Sequence, residues 1–321
     1  MRWATLWALL VLALPGLSAQ ATPRDGAQAT VLVYHPVDAN EVDPFGVHYQ
    51  GADPFSFRYQ ALAAQAGQFD YPVFLADGVR AIQSLPNPSV PFQGTLDAYD
   101  AAVRERAGQP VAVAITLAAE AAGPTARLQV RLEPEAPLQP SQGQHLHLVV
   151  ALAEDPVHYQ PPAPVSNGVV DHRFTVRAFQ DAGEVDLASG QAVDRTVAMS
   201  LDPSWRVDRL LAAAWVQADE APGRFQPHEV LQATHSTLDG TAVRQSGKGV
   251  LVEAYSATWC TPCLYGDLAI EQVAIRFGDA RPLAAAGGPL YFEAAPMPLL
   301  ALGGAIVVGS VLALAPGRRR P

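Results

Sequence analysis

Cys260 and Cys263 are the only cysteines in a chain of 321 residues, and only two residues separate them in Trp259-Cys260-Thr261-Pro262-Cys263. The run before them, Gly249-Val250-Leu251-Val252-Glu253-Ala254-Tyr255, reads as a strand, and Leu264 to Phe277 after them reads as a helix. A thiol at the start of a helix meets free backbone N–H groups and the positive end of the helix dipole, and both favour the thiolate. Cys260 is therefore the candidate attacking sulfur. Cys263, one helical turn further on, is the candidate sulfur that resolves a mixed disulfide. The chemistry is dithiol–disulfide exchange with the thiols or disulfides of other proteins, and it calls for no cofactor. A disulfide that closes so small a loop gains little from chain entropy, so a purely stabilising role is weakly motivated. A structural zinc wants four ligands, and no further Cys or Cys-His cluster supplies them, so no metal is expected. Pro262 also suits the first turn of a helix.

Both ends of the chain read as targeting segments. Residues 1–20 have the pattern of a secretory signal peptide, with Arg2, an apolar run from Leu6 to Leu14, and Leu17-Ser18-Ala19 at the cleavage site. Residues 297–315 form an apolar run long enough for one transmembrane helix, a removed sorting tail being the other reading of this end. Residues 316–321 form a basic tail, and its arginines should stay cytoplasmic. The expectation is a single membrane anchor at the cell membrane, with the bulk of the chain extracytoplasmic. Setting aside the four arginines of the two ends leaves 17 basic against 31 acidic residues, a net of −14. That balance argues against nucleic acid and against a basic lipid-binding patch. An exported location permits disulfides.

Between the ends, residues 30–108 read as β-α-β-β-α. The run 30–35 is a short apolar strand ending in His35. Asp53-Pro54 opens a helix over 55–65. Residues 70–79 read as strand, Asp77-Gly78 turn, strand, with Pro72 at the strand start as a candidate cis-proline. Thr95 should cap a helix that runs to Ala107. Residues 111–238 change to a period of two, with strand-like runs at 111–117, 126–132, 145–152, 172–179, 196–201, 210–216 and 229–234. Such a series predicts an antiparallel β-sandwich. Residues 239–248 read as a polar connector and 278–296 as a linker to the membrane.

The two outer pieces add up to one unit. Residues 249–277 supply β, C-x-x-C, α, and residues 30–108 supply β-α-β-β-α with a proline opening the middle strand. Their sum is a thioredoxin-like domain with its first half moved to the end of the chain and a β-sandwich inserted between the halves. The fold class expected is therefore α/β plus all-β. A strand apolar on both faces needs neighbours, so 249–255 should not stand alone.

The residues quoted also carry a resemblance. Val252-Glu253-Ala254-Tyr255 before Trp259-Cys260, Tyr34-His35, Asp43-Pro44-Phe45, and Pro72 with Asp77-Gly78 resemble the thioredoxin-like family related to Bacteroidetes outer membrane protein twenty-eight. Val149 to Asp155, His172 to Arg177 and Glu229 to Ala233 are similar to that family's sandwich. The order departs from the family's by circular permutation, so the halves could dock within one chain or exchange between protomers, or the C-x-x-C unit could be the relic of a second, truncated domain. The resemblance implies that Trp259 packs beside the disulfide and that Thr261 and Pro262 tune the thiolate. It implies that Pro72 faces the cysteines and that Tyr71 offers backbone groups to an extended substrate. Glu253 becomes a candidate for the buried carboxylate that relays a proton to the inner thiol, although its register is one residue from the thioredoxin pattern.

Two function classes remain. The first is a membrane-anchored thiol–disulfide oxidoreductase, supplied with electrons, if it reduces, by a separate membrane redox donor. The second is a surface binding or adhesion protein whose sandwich does the work and whose disulfide is passive. His145 and His147 share a strand face, and two such ligands alone read as a solvated or hydrogen-bonded pair. No nucleophile elbow, P-loop or dinucleotide glycine pattern is present.

Overall fold

The computed structural model describes residues 22–24, 26–34, 72–83, 89–158, 169–256, 260 and 262–278. The expected signal peptide, the 55–65 helix, the linker beyond Gly278, the membrane segment and the tail lie outside them. Among the described residues, no helix is long and apolar enough to cross a membrane.

The described chain is mostly β. In order it forms β1 (Thr22–Arg24), β2 (Gln28–Tyr34), β3 (Val73–Ala76), β4 (Arg80–Gln83), helix α1 (Pro91–Ala107), β5 (Val113–Ala122), β6 (Thr125–Pro134), β7 (Leu146–Glu154), β8 (Val157–His158), β9 (Asp171–His172), β10 (Thr175–Glu184), β11 (Val193–Ser200), β12 (Leu210–Ala218), β13 (Val230–Thr237), β14 (Asp239–Gln245), β15 (Gly249–Tyr255) and helix α2 (Cys263–Phe277).

Two sheets carry the fold. Five strands run in the order β1-β14-β5-β6-β11, and eight run β13-β12-β7-β10-β2-β15-β3-β4. The five-stranded sheet packs on the β13-to-β10 part of the larger one. Alternating residues of both meet in a dry core that includes Ile115, Leu117, Leu128, Val130, Leu148, Val150, Ala212 and Ala214. This is the sandwich that the period of two predicts.

The other half of the eight-stranded sheet joins the two ends of the sequence. β15 pairs in parallel with β2 along its whole length, from Gly249–Gln28 to Tyr255–Tyr34. On its other side β15 pairs antiparallel with β3, and β3 with β4. The pieces before and after the sandwich therefore share one sheet within one chain. All seven residues of β15 are buried, which explains why it is apolar at every position but Glu253. Val250, Val252 and Ala254 join Val31, Val33 and Phe74 beneath the helices, where Tyr99 and Val103 of α1 and Ile270 and Val273 of α2 cover them. Leu251 and Tyr255 lie on the opposite face with Leu32 and Leu75. Burying a large apolar side chain of this kind is worth about 1.5–3 kcal/mol.

Two local expectations need correction. The helix expected to start at Thr95 starts at Pro91, which suits a first helical position because proline has no N–H to satisfy. Thr95 instead donates its hydroxyl hydrogen to the Pro91 carbonyl, at 2.6 Å. The polar connector expected at 239–248 is largely strand β14, paired with β5 and β1. Its polarity is absorbed locally: Asp239 and Thr241 are exposed, and Gln245 donates to the Gly26 and Gly247 carbonyls.

Candidate functional site

Cys260 and Cys263 form a disulfide, with Sγ–Sγ 2.06 Å and Cα–Cα 5.3 Å. The Cys263 N–H donates to the Cys260 carbonyl at 3.0 Å, closing the turn that opens α2. Pro262 is exposed in that turn. Cys260 is 6% accessible and Cys263 fully buried. Of the pair, only Cys260 therefore offers a sulfur-bearing residue with any solvent contact. Trp259, Thr261 and Tyr71 lie outside the described residues.

The elements around the disulfide are interlocked. Pro72 packs on the first turn of α2, so closely that a β-carbon on Gly266 would lie 3.0 Å from the proline Cβ and Cγ. The same β-carbon would be 3.5 Å from the Tyr99 hydroxyl of α1. Tyr99 stacks on Phe74, the second residue of β3, with ring centroids 4.0 Å apart. Burial, and then the charge of Asp267, push its phenol well above the ordinary range. Thus the residue that opens β3, helix α2 and helix α1 meet at one glycine.

Glu253 is fully buried and accepts a hydrogen bond from the Tyr34 hydroxyl at 2.8 Å. Tyr34 in turn stacks on Tyr255, with centroids 4.8 Å apart. Strand parity puts Glu253 on the Leu251–Tyr255 face, turned away from α2, whereas Ala254 faces the helix. The one-residue offset seen in the sequence is therefore an actual change of face.

Two buried ionic clusters tie this region to the sandwich, and neither has a local sequence signal. Asp77, in the tight turn after β3, holds Arg106 of α1 and Lys248, each with its nitrogen 3.0 Å from Oδ2. Its Oδ1 accepts the Leu251 N–H at 2.8 Å. Arg106 also reaches Glu229 at 2.8 Å. Burial pulls the Lys248 amine below its ordinary range, and Asp77 opposes the shift. In the second cluster, Arg173 pairs with Asp155 through Nε and Nη2 and with Glu271 of α2 through Nη1 at 2.8 Å. Burial raises the Glu271 carboxyl, and Arg173 works against it.

His145 lies 2.7 Å from Glu184, and His147 lies 2.9 Å from Asp181, both on β10. Among the described residues there is no group of three or more side chains placed to hold a metal.

No protein-family model matches the chain, and no curated protein does. Among solved structures it is similar to HBP35 of Porphyromonas gingivalis, at 15% identity and a TM-score of 0.43. The match spans 58% of this chain and 58% of that one.

Proposed function

We propose that the chain is a thiol–disulfide oxidoreductase of thioredoxin-like type, circularly permuted around an inserted β-sandwich. It would be exported and held at the cell membrane by its C-terminal segment. The single observation that carries this reading is the seating of the C-x-x-C unit. β15, the disulfide and α2 are completed by β2, β3, β4 and α1 from the other end of the sequence, with Pro72 against the redox helix.

In the reduced protein, the Cys260 thiolate attacks one sulfur of a substrate disulfide, and the other substrate sulfur leaves as a thiolate. The Cys263 thiol then gives up its proton and attacks Cys260 Sγ. The mixed disulfide breaks, the second substrate thiolate leaves, and the 260–263 disulfide re-forms. Two electrons pass to the substrate. Run backwards, the same steps oxidise a substrate dithiol. The helix start supports the thiolate at each stage.

The test is a Cys263→Ala chain, which lacks the resolving sulfur. It should accumulate protein adducts through Cys260 that dithiothreitol releases, while a Cys260→Ala/Cys263→Ala chain accumulates none. A well-folded Cys263→Ala protein that traps nothing would leave the disulfide passive and favour a binding role for the sandwich.

A further inference from the structure

The peptide groups of β2 alternate between two edges. The Gln28 N–H donates to the Lys248 carbonyl and the Ser256 N–H to the Tyr34 carbonyl, so the even-numbered residues turn towards β15. The Val33 N–H donates to the Phe174 carbonyl at 2.9 Å, so the odd-numbered residues turn to the other edge. On that edge β10 pairs with β2 at one position only, Thr175 with Val33. Below Val33, no strand among the described residues is in register with the peptide groups of Ala29 and Val31.

The reason is visible in the chain before β10. Phe174 has φ +52°, a conformation that L residues seldom adopt, and Arg173 is drawn aside by Asp155 and Glu271. The backbone therefore leaves the β2 edge instead of continuing down it. What remains is a pocket of about 320 Å³ beside Ala29 and Val31. Leu211 and Ala213 of β12 line it, together with Arg209, Thr237 and the carboxylates Asp155 and Asp239. Its volume falls at the lower end of the range of about 300–1,000 Å³ for ligand sites.

We infer that this pocket binds a short extended peptide segment, which takes the sheet position that β10 vacates and pairs with Ala29 and Val31. The hydrogen-bonding pattern selects the class of ligand. Alternating N–H and C=O groups on a strand edge are matched by another extended backbone. From Ala29 to Val33 the edge is about 13 Å long, room for a few residues. Every second side chain of the guest would face Leu211 and Ala213, which sets a preference for small apolar or β-branched residues. The lining carries Arg209, whose guanidinium donates to the Pro156 carbonyl, beside the carboxylates Asp155 and Asp239, so it sets no preference for a charged guest. The site lies by Ala274 and Gly278, at the far end of α2 from Cys263, about 16 Å along the helix. It stands independently of any redox activity.

The test uses the full-length oxidised protein and the peptide acetyl-Val-Thr-Val-Thr-amide, with a copy N-methylated at every backbone amide. Calorimetry should detect the first peptide and not the second. Saturation should slow amide exchange at Ala29 and Val31 at least about tenfold. Thr237→Trp should fill part of the pocket and weaken binding about tenfold or more, with Ala213→Phe as a second filling variant should the first fail to fold. Neither should alter the rate at which dithiothreitol reduces the 260–263 disulfide. Absence of binding at millimolar peptide overturns the inference. So does equal binding of the N-methylated copy, or full protection of both amides before peptide is added.

Discussion

Gly266 faces the ring of Pro72 across a gap too small for a methyl group, since an added β-carbon would stand 3.0 Å from two ring carbons. The contact sets the height of α2 above the strand that Pro72 opens. Gly266→Ala gains about 1 kcal/mol of helix propensity and meets an overpacking cost of about 1–3 kcal/mol. We predict a net loss near 1 kcal/mol, read as a lower urea midpoint. Disulfide exchange with a small disulfide reagent should also change. A variant as stable as the parent with unchanged exchange would mean that the contact positions nothing.

Removing the disulfide should barely loosen the fold. The closed loop is so short that the chain-entropy model assigns it about 2 kcal/mol at most. The sheet around it is held instead by the seven-residue register of β15 with β2. The Cys260→Ala/Cys263→Ala chain should therefore unfold cooperatively, with a midpoint only slightly below that of the oxidised parent. Loss of near-ultraviolet circular dichroism on reduction or double substitution would contradict this.

Asp77 neutralises two cations in the interior. Asp77→Asn strips Arg106 and Lys248 of that partner, and uncovering a buried charge costs about 3–5 kcal/mol. Lys248 has a depressed value in the fold. Between that value and its ordinary one near 10.4, the unfolded chain binds more protons, so stability should rise with pH through that window. In Asp77→Asn the window should open at lower pH. Unfolding free energies at pH 7 and pH 10 should show the mutant's deficit shrinking at the higher pH. A constant deficit would remove Lys248 from the account.

Glu271 has the opposite sign. Its carboxyl is raised in the fold, so the folded state holds the proton more tightly than the unfolded chain. The stability this provides is fully present below the unfolded value, about 4.3, and is lost as pH rises through the folded value. Glu271→Gln keeps an oxygen to accept from Arg173 and carries no charge. Between pH 4 and pH 7 the parent should lose stability relative to this variant. Parallel curves over that range would show that Arg173 fully compensates the buried charge.

Some of this was legible in the sequence and some was not, for identifiable reasons. β15 was plain because a strand buried on both faces is apolar at nearly every position, the hydrogen-bonded Glu253 excepted. The sandwich was plain in strands such as β6 and β11, whose burial alternates, whereas β7 and β12 bury both faces, one in each of two cores. β14 was missed because its polar residues are exposed or bonded at a sheet margin, so hydropathy reports their surroundings and not their backbone. The parity of Glu253 and Ala254 was already contained in the spacing to Cys260. The ionic clusters were invisible: Asp77, Arg106, Glu229 and Lys248 are far apart in the chain, and no local rule pairs them. Asp77-Gly78 advertised only a turn, while Asp77 holds the N-terminal half against β15 through its carboxylate and against β13 through its carbonyl, which accepts the Val230 N–H.

The hydrogen bond from Tyr34 to Glu253 spans 219 positions of sequence, and that separation has a temporal meaning. At roughly 5–20 residues per second, β15 emerges about 10–45 s after β2. Throughout that interval β2 is an apolar strand with its β15-facing edge exposed, the kind of template on which chains aggregate. The sandwich has time to condense before its flanks can close. A nascent chain of this design must therefore be sheltered until its cysteines arrive, and the strand that shelters it for good is the one that brings them.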